Sequence, residues 1–183
     1  MSTSERAAAI AIGAAALAAC AGLPSATGKP PAFGAAVSAE EIPRWDISIP
    51  PSGAGLPAGS GTAKQGATVY GAKCLACHGE KGAGKPADVL VGGIGSLATA
   101  RPVRTVGSYW PYATTLFDYV RRAMPITNPL SLSDDEVYSV SAYVLFLNGI
   151  VAEDAVMNAQ TLPQVKMPNR DGFASDWPPR ARN

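Results

Sequence analysis

Five residues, Cys74-Leu75-Ala76-Cys77-His78, constrain this chain more than any other stretch. Two thiols three positions apart fall on one face of a helix, and an imidazole at the next position can swing beneath a flat group that both sulfurs hold. Cysteine and histidine in this C-x-x-C-H order form the attachment run of a c-type haem, in which the thiols add across two vinyl groups and the imidazole binds the iron. Two other uses of a C-x-x-C pair fail on arithmetic. A structural zinc site needs about four ligands, usually from two knuckles, and the chain holds only Cys20, Cys74, Cys77 and the single histidine, His78. A thioredoxin-like dithiol belongs to a βαβ unit, a pattern the sequence lacks.

With 183 residues the chain is long enough for one domain with a sizeable core plus tails. Its formal net charge is +1 and only 16% of residues are charged, which argues against a nucleic-acid binder. Residues 1–20 read as a targeting segment. A thirteen-residue apolar run from Ala7 to Ala19 follows Arg6, too short to span a bilayer and right for a signal peptide. The run ends Leu17-Ala18-Ala19-Cys20, which resembles the lipobox of bacterial lipoproteins. Acylation of Cys20 gives this otherwise unpaired cysteine a use and tethers the chain to a membrane face; ordinary cleavage beside it is the alternative. Either route places the mature chain outside the cytoplasm, in the periplasm.

Residues 21–61 are rich in Gly, Pro, Ser and Ala without apolar periodicity, and are expected to form a flexible linker. Within it Ile42 to Pro50 carries enough large apolar groups to lie extended against the domain. The folded domain is expected over 62–150. Thr62-Ala63-Lys64-Gln65 reads as a capping box opening a helix to about Lys73, with Gly66 and Tyr70 on one face where another helix can cross closely. Glycines then recur from Gly79 to Gly107, predicting loops and turns. A second helix is predicted from Pro111 to Ala123, with a stripe of Leu116, Tyr119, Val120 and Ala123. A third opens at Ser133 with Glu136 completing its box and stops at Asn148-Gly149. Residues 151–183 are expected to pack on the domain or a partner, with one short helix near Glu153 to Ala159.

One histidine leaves Met, Lys, water or nothing as sixth ligand to an iron. Met124, between two helices and followed by Pro125, is the preferred sulfur. Met167, which also precedes a proline, comes second, and Met157 is assigned to a surface helix. His/Met ligation fills both axial positions and favours outer-sphere electron transfer over bond-making catalysis. Between residues 60 and 150 eight Lys/Arg face six Asp/Glu, so charge steering is weak. Arg101, Arg104, Tyr109 and Trp110 are candidates for contacts to haem propionates or the haem edge; solvated arginines and core aromatics are the plainer reading.

The helix before Cys74-Leu75-Ala76-Cys77-His78, the methionine loop at Met124 and the C-terminal helix together resemble the class I c-type cytochromes, over about residues 60–150. The resemblance implies an all-α fold of about three to four helices around one covalently bound haem c, with extended N- and C-terminal segments. A narrower likeness lies in the stretches Val106 to Tyr119, Arg121 to Pro125, Leu132 to Tyr138, Leu147 to Ile150 and Leu162 to Phe173. These are similar to the cytochrome subunits of sulfur dehydrogenase (SoxD-like) and sulfite dehydrogenase. What the likeness implies is a non-catalytic subunit that accepts electrons from a molybdenum-cofactor dehydrogenase subunit and hands them to a downstream cytochrome or oxidase. A stand-alone electron shuttle is the first alternative, and a haem sensor or peroxidase, which needs an open iron, the second.

Overall fold

Thr62 and Ser133 start their helices by the same device. Each side chain accepts a hydrogen bond from the backbone N–H three residues on, at 3.4 Å from Gln65 and 3.3 Å from Glu136, while the Gln65 and Glu136 side chains reach back to the cap N–H groups at 2.8 Å. Two orphan donors are satisfied at each end, so both boundaries are set locally. The computed structural model describes residues 33–174. The targeting segment, Cys20 and the last nine residues therefore lie outside the described residues.

In chain order the elements are α1 (Ile42–Trp45), β1 (Ser60–Gly61), α2 (Ala63–Lys73), α3 (Leu75–His78), a 3-10 turn (Glu80–Gly82), α4 (Ala113–Ala123), α5 (Asp134–Leu147), β2 (Met157–Asn158) and a second 3-10 turn (Leu162–Gln164). Among the described residues the chain is thus all-α apart from one two-residue ladder, as expected. The described residues fall into two units divided between Ile42 and Pro43; within the first unit the Glu41 N–H donates to the Ser38 carbonyl at 3.1 Å. Among the described residues no helix is long and apolar enough to cross a membrane.

The larger unit is built on α2 crossing α5. At the crossing a Cβ on Gly66 would lie 1.9 Å from the Ser139 carbonyl oxygen and 2.8 Å from the Tyr143 Cβ, so only glycine permits this approach. Next to the notch Tyr70 packs on Tyr143 with ring centroids 5.3 Å apart. On the other side of α5, Phe117 from α4 meets Tyr138 at 4.4 Å, both rings fully buried. Helix α5 is therefore covered on two sides, which explains why Val137, Val140, Ala142, Val144 and Leu145 are all buried.

Several boundaries differ from the sequence expectation. Helix α4 begins at Ala113, not Pro111: Tyr112 stays extended, with its ring under the Arg170 guanidinium at 4.5 Å, and the Thr114 hydroxyl donates to the Pro51 carbonyl at 3.1 Å. Tertiary contacts at 112 and 114 thus override the helical preference of Pro111. No helix forms over 153–159. There the Asn158 side-chain oxygen accepts the N–H groups of Gln160 and Thr161 at 2.9 and 3.0 Å, a local turn that competes with helix, and Met157 and Asn158 pair antiparallel with Gly61 and Ser60. Met157 is consequently a buried core residue rather than part of a surface helix.

The stretch read as linker also reaches into the core. Ile49 is 5% exposed, and its N–H donates to Asp118 Oδ1 at 2.8 Å. Asp118 takes a second bond from Arg122 Nε at 3.0 Å. Burial alone would push this carboxyl up, but the bonds from Arg122 and Ile49 and the charges of Arg122 and Arg121 outweigh it and hold it below the usual carboxylate range. Past α5, Leu162, Val165 and Met167 are buried as well, so residues 151–167 belong to the packed unit.

Candidate haem site

The C-x-x-C-H run sits where two helices meet at an angle. Cys74 ends α2, donating its N–H to the Tyr70 carbonyl at 2.9 Å, and with φ −120° and ψ −34° it also caps α3. Its carbonyl accepts from both Cys77 N–H and His78 N–H, at 3.1 and 2.9 Å. That single helical turn places the two cysteines on one side and the histidine at its end. Both thiols are free; Cys74 is half-buried and Cys77 exposed. Burial, with a smaller contribution from Cys77, pushes the Cys74 thiol up to about 11, so it stands neutral at physiological pH.

His78 Nδ1 lies 3.0 Å from the Asp88 carbonyl oxygen. A carbonyl can only accept, so Nδ1 carries the proton and Nε2 is left with a lone pair for a metal. The chain around the imidazole is tightly tied. Gly84 N–H donates to the His78 carbonyl at 2.7 Å, Ala87 N–H to the Cys77 carbonyl at 2.9 Å, and the Tyr70 hydroxyl to the Gly79 carbonyl at 2.8 Å. Gly79 turns the chain at φ 72°, where a Cβ would lie 2.5 Å from the Gly84 oxygen; glycine is required there.

Met124 follows the last turn of α4. Its N–H still donates to the Val120 carbonyl at 3.0 Å, while its own backbone is extended and its side chain half-buried. The other two methionines of the described residues, Met157 and Met167, are locked in the core at 5% and 3% exposure. Of the three, Met124 is the one whose sulfur is not already committed to core packing. Leu75, Ile94, Val103, Tyr119, Ile126 and Leu130, on the motif turn, the glycine-rich loop, α4 and the methionine loop, are all exposed despite being large and apolar. Apolar groups left uncovered on these flanking segments, a histidine fixed in the metal-binding tautomer and two free thiols at the right spacing fit a covalently held haem.

The remaining candidates separate into two groups. The Arg104 guanidinium stacks over the Tyr109 ring at 5.5 Å. Tyr109, Trp110, Pro111 and Thr115 line one shallow apolar cleft of about 220 Å³. Trp110 also packs against the core and meets Tyr119 edge-on at 5.6 Å. Arg101 is exposed, and among the described residues no ion pair or ring stacking engages it. Two contacts around the motif escape sequence reasoning: the Asp88 carbonyl, because any residue supplies one, and the Tyr70 hydroxyl.

A family profile described as cytochrome C oxidase, cbb3-type, subunit III matches residues 61–144. Among solved structures, the crystal structure of the sulfane dehydrogenase SoxCD from Paracoccus pantotrophus contains a chain 42% identical to this one. The match covers 79% of this chain and 71% of that one, with a TM-score of 0.74. No curated protein sequence matches. The chain therefore belongs to the class I c-type cytochromes, a family with covalently bound haem c, and resembles the cytochrome subunit of sulfur dehydrogenases.

Proposed function

We propose that this chain is an exported monohaem cytochrome that takes single electrons from a molybdenum-cofactor dehydrogenase subunit acting on sulfite or another sulfur compound, and passes them to a downstream cytochrome or oxidase. The observation that carries the reading is the 3.0 Å approach of His78 Nδ1 to the Asp88 carbonyl beside two free cysteines, which leaves Nε2 available to iron. Cys74 and Cys77 would form the two thioether links, and His78 Nε2 and the Met124 sulfur would bind the iron. When bound, the haem supplies reversible one-electron exchange at iron, and two protein ligands leave it no open position for oxygen chemistry. The apolar side chains of the glycine loop, α4 and the methionine loop would exclude water from the ring. Arg104, stacked over Tyr109, is assigned to meet a negative group at the rim, and Arg101 and Trp110 are assigned to the same rim on sequence grounds.

Likeness to a chain of sulfane dehydrogenase SoxCD supports the dehydrogenase partner. Export rests on the segment before Cys20, and acylation of Cys20 would hold the complex at a membrane face. The test is purification from cells that attach c-type haem. The expected product carries one haem per chain that survives denaturation and co-elutes with a molybdenum-containing subunit; a haem-bearing chain that never acquires a partner would favour the stand-alone shuttle. Met124→Ala should abolish the far-red charge-transfer band of His/Met ligation and open the sixth position to added cyanide. An unchanged band would remove Met124 from the ligand set.

A further inference from the structure

Asn148 closes α5, and its sequence context explains it fully as a helix stop. The geometry does not. Asn148 has φ −88° and ψ 3°, outside the left-handed region, and the left-handed residue that turns the chain is Gly149 at φ 69°. The backbone conformation at the helix end therefore makes no demand for asparagine at 148. Yet the side chain is 8% exposed and fully engaged. Nδ2 donates to the Val144 carbonyl at 2.9 Å and the Leu90 carbonyl at 3.2 Å, and Oδ1 accepts from Gly92 N–H at 3.0 Å. The opposing backbone is shaped to it as well: a Cβ on Gly107 would lie 2.1 Å from Oδ1.

We infer that Asn148 is a positioning residue for the His78 imidazole, clamping the 88–92 segment so that the Asp88 carbonyl holds the Nδ1 proton; this rests on His78 being the iron ligand proposed above. The other bonds of that segment run to the loop itself. Ala87 N–H goes to the Cys77 carbonyl and Leu90 N–H to the Gly82 carbonyl, each at 2.9 Å, and the Thr105 hydroxyl donates to the Gly92 carbonyl at 2.6 Å. Such bonds let motif turn and loop shift together. Asn148 ties the segment directly to α5. A carbonyl held on Nδ1–H raises the electron density at Nε2 and with it the donor strength of the imidazole, which favours the ferric state. Loosening the clamp should weaken that donation and move the reduction potential positive.

The experiment uses the haem-loaded chain. Asn148→Leu keeps the volume and removes all three bonds without adding charge; Asn148→Ser is the milder variant, able to keep one. The expected order is wild type, then Ser, then Leu, both for a positive shift in potential and for faster solvent exchange of the His78 Nδ1 proton by NMR, with the far-red methionine band intact. A residue that only stabilised the fold would lower the melting temperature and leave the potential and ring-proton exchange unmoved. Folded, haem-bearing Leu and Ser variants with wild-type potential and exchange overturn the inference and leave the haem reading standing. Wild-type protein without covalent haem overturns both.

Discussion

The two sides of the C-x-x-C-H run are held by different physics. Toward the N-terminus, α2 lies against α5 in a notch cut by Gly66, with Tyr70 on Tyr143, and the contact is close-packed and largely apolar. Toward the C-terminus, residues 79–108 contain one 3-10 turn and little buried apolar surface. They are fastened by side chains bonding to backbone, through Asn148, Thr105, Ser108 and Ser96. The first side resists any change in volume and is indifferent to single hydrogen bonds. The second side hangs on separate side-chain bonds and fails one bond at a time. A cofactor held between them would have a rigid wall on the cysteine side and an adjustable one on the histidine side.

Gly66→Ala attacks the rigid wall and should have the largest effect. The new methyl meets the Ser139 carbonyl at 1.9 Å, so the helices must separate at a cost of roughly 1–3 kcal/mol, seen as a lower midpoint in urea melts with an unchanged slope. Asp118→Asn tests the strut that joins α4 to Ile49. The folded carboxyl is held below its unfolded value, so its stabilisation is present above the unfolded pKa and is lost as pH falls through the folded one. With half of Arg122 in water the strut contributes about 1 kcal/mol. The variant should therefore be weaker than wild type near neutrality and should close the gap below about pH 4. Equal stability at neutral pH would dismiss the strut. Thr105→Val touches only the adjustable wall: at most about 1 kcal/mol of global stability is expected, with faster amide exchange confined to the segment around Gly92 and Ser108. Exchange rising equally in α2 and α5 would erase the contrast between the two sides.

The same contrast governs what could be read before the structure. Both capping boxes, the notch at Gly66 and the stop at Gly149 involve residues three to four apart or a single special φ, and local spacing reveals them. Three features could not be found that way. The strand pairing of Ser60–Gly61 with Met157–Asn158 joins residues almost a hundred positions apart, and the turn at Asn158 turned an expected helix into a ladder. The apolar run at Ile49 suggests a stretch lying against the domain, but its partner, Asp118, lies 69 residues on and has no local signature. At the candidate site, the thiols and imidazole announce themselves by order along the chain, whereas the Asp88 carbonyl has no side-chain signature. Asn148 was legible as a helix end, and that sufficient local explanation concealed its reach across to Leu90 and Gly92.

The ladder between Gly61 and Met157 has one more consequence. It fastens the strand that enters the first capped helix to the strand that leaves the last one, both against α5, like the two ends of a belt meeting at a buckle. A fragment trimmed to the helices and the cysteine motif would keep every residue assigned to the haem yet lose that fastening, and with it Ile49, Leu162 and Met167 from the interior. The smallest self-sufficient unit is accordingly set by where the buckle closes, well outside the stretch in which the chemistry lies.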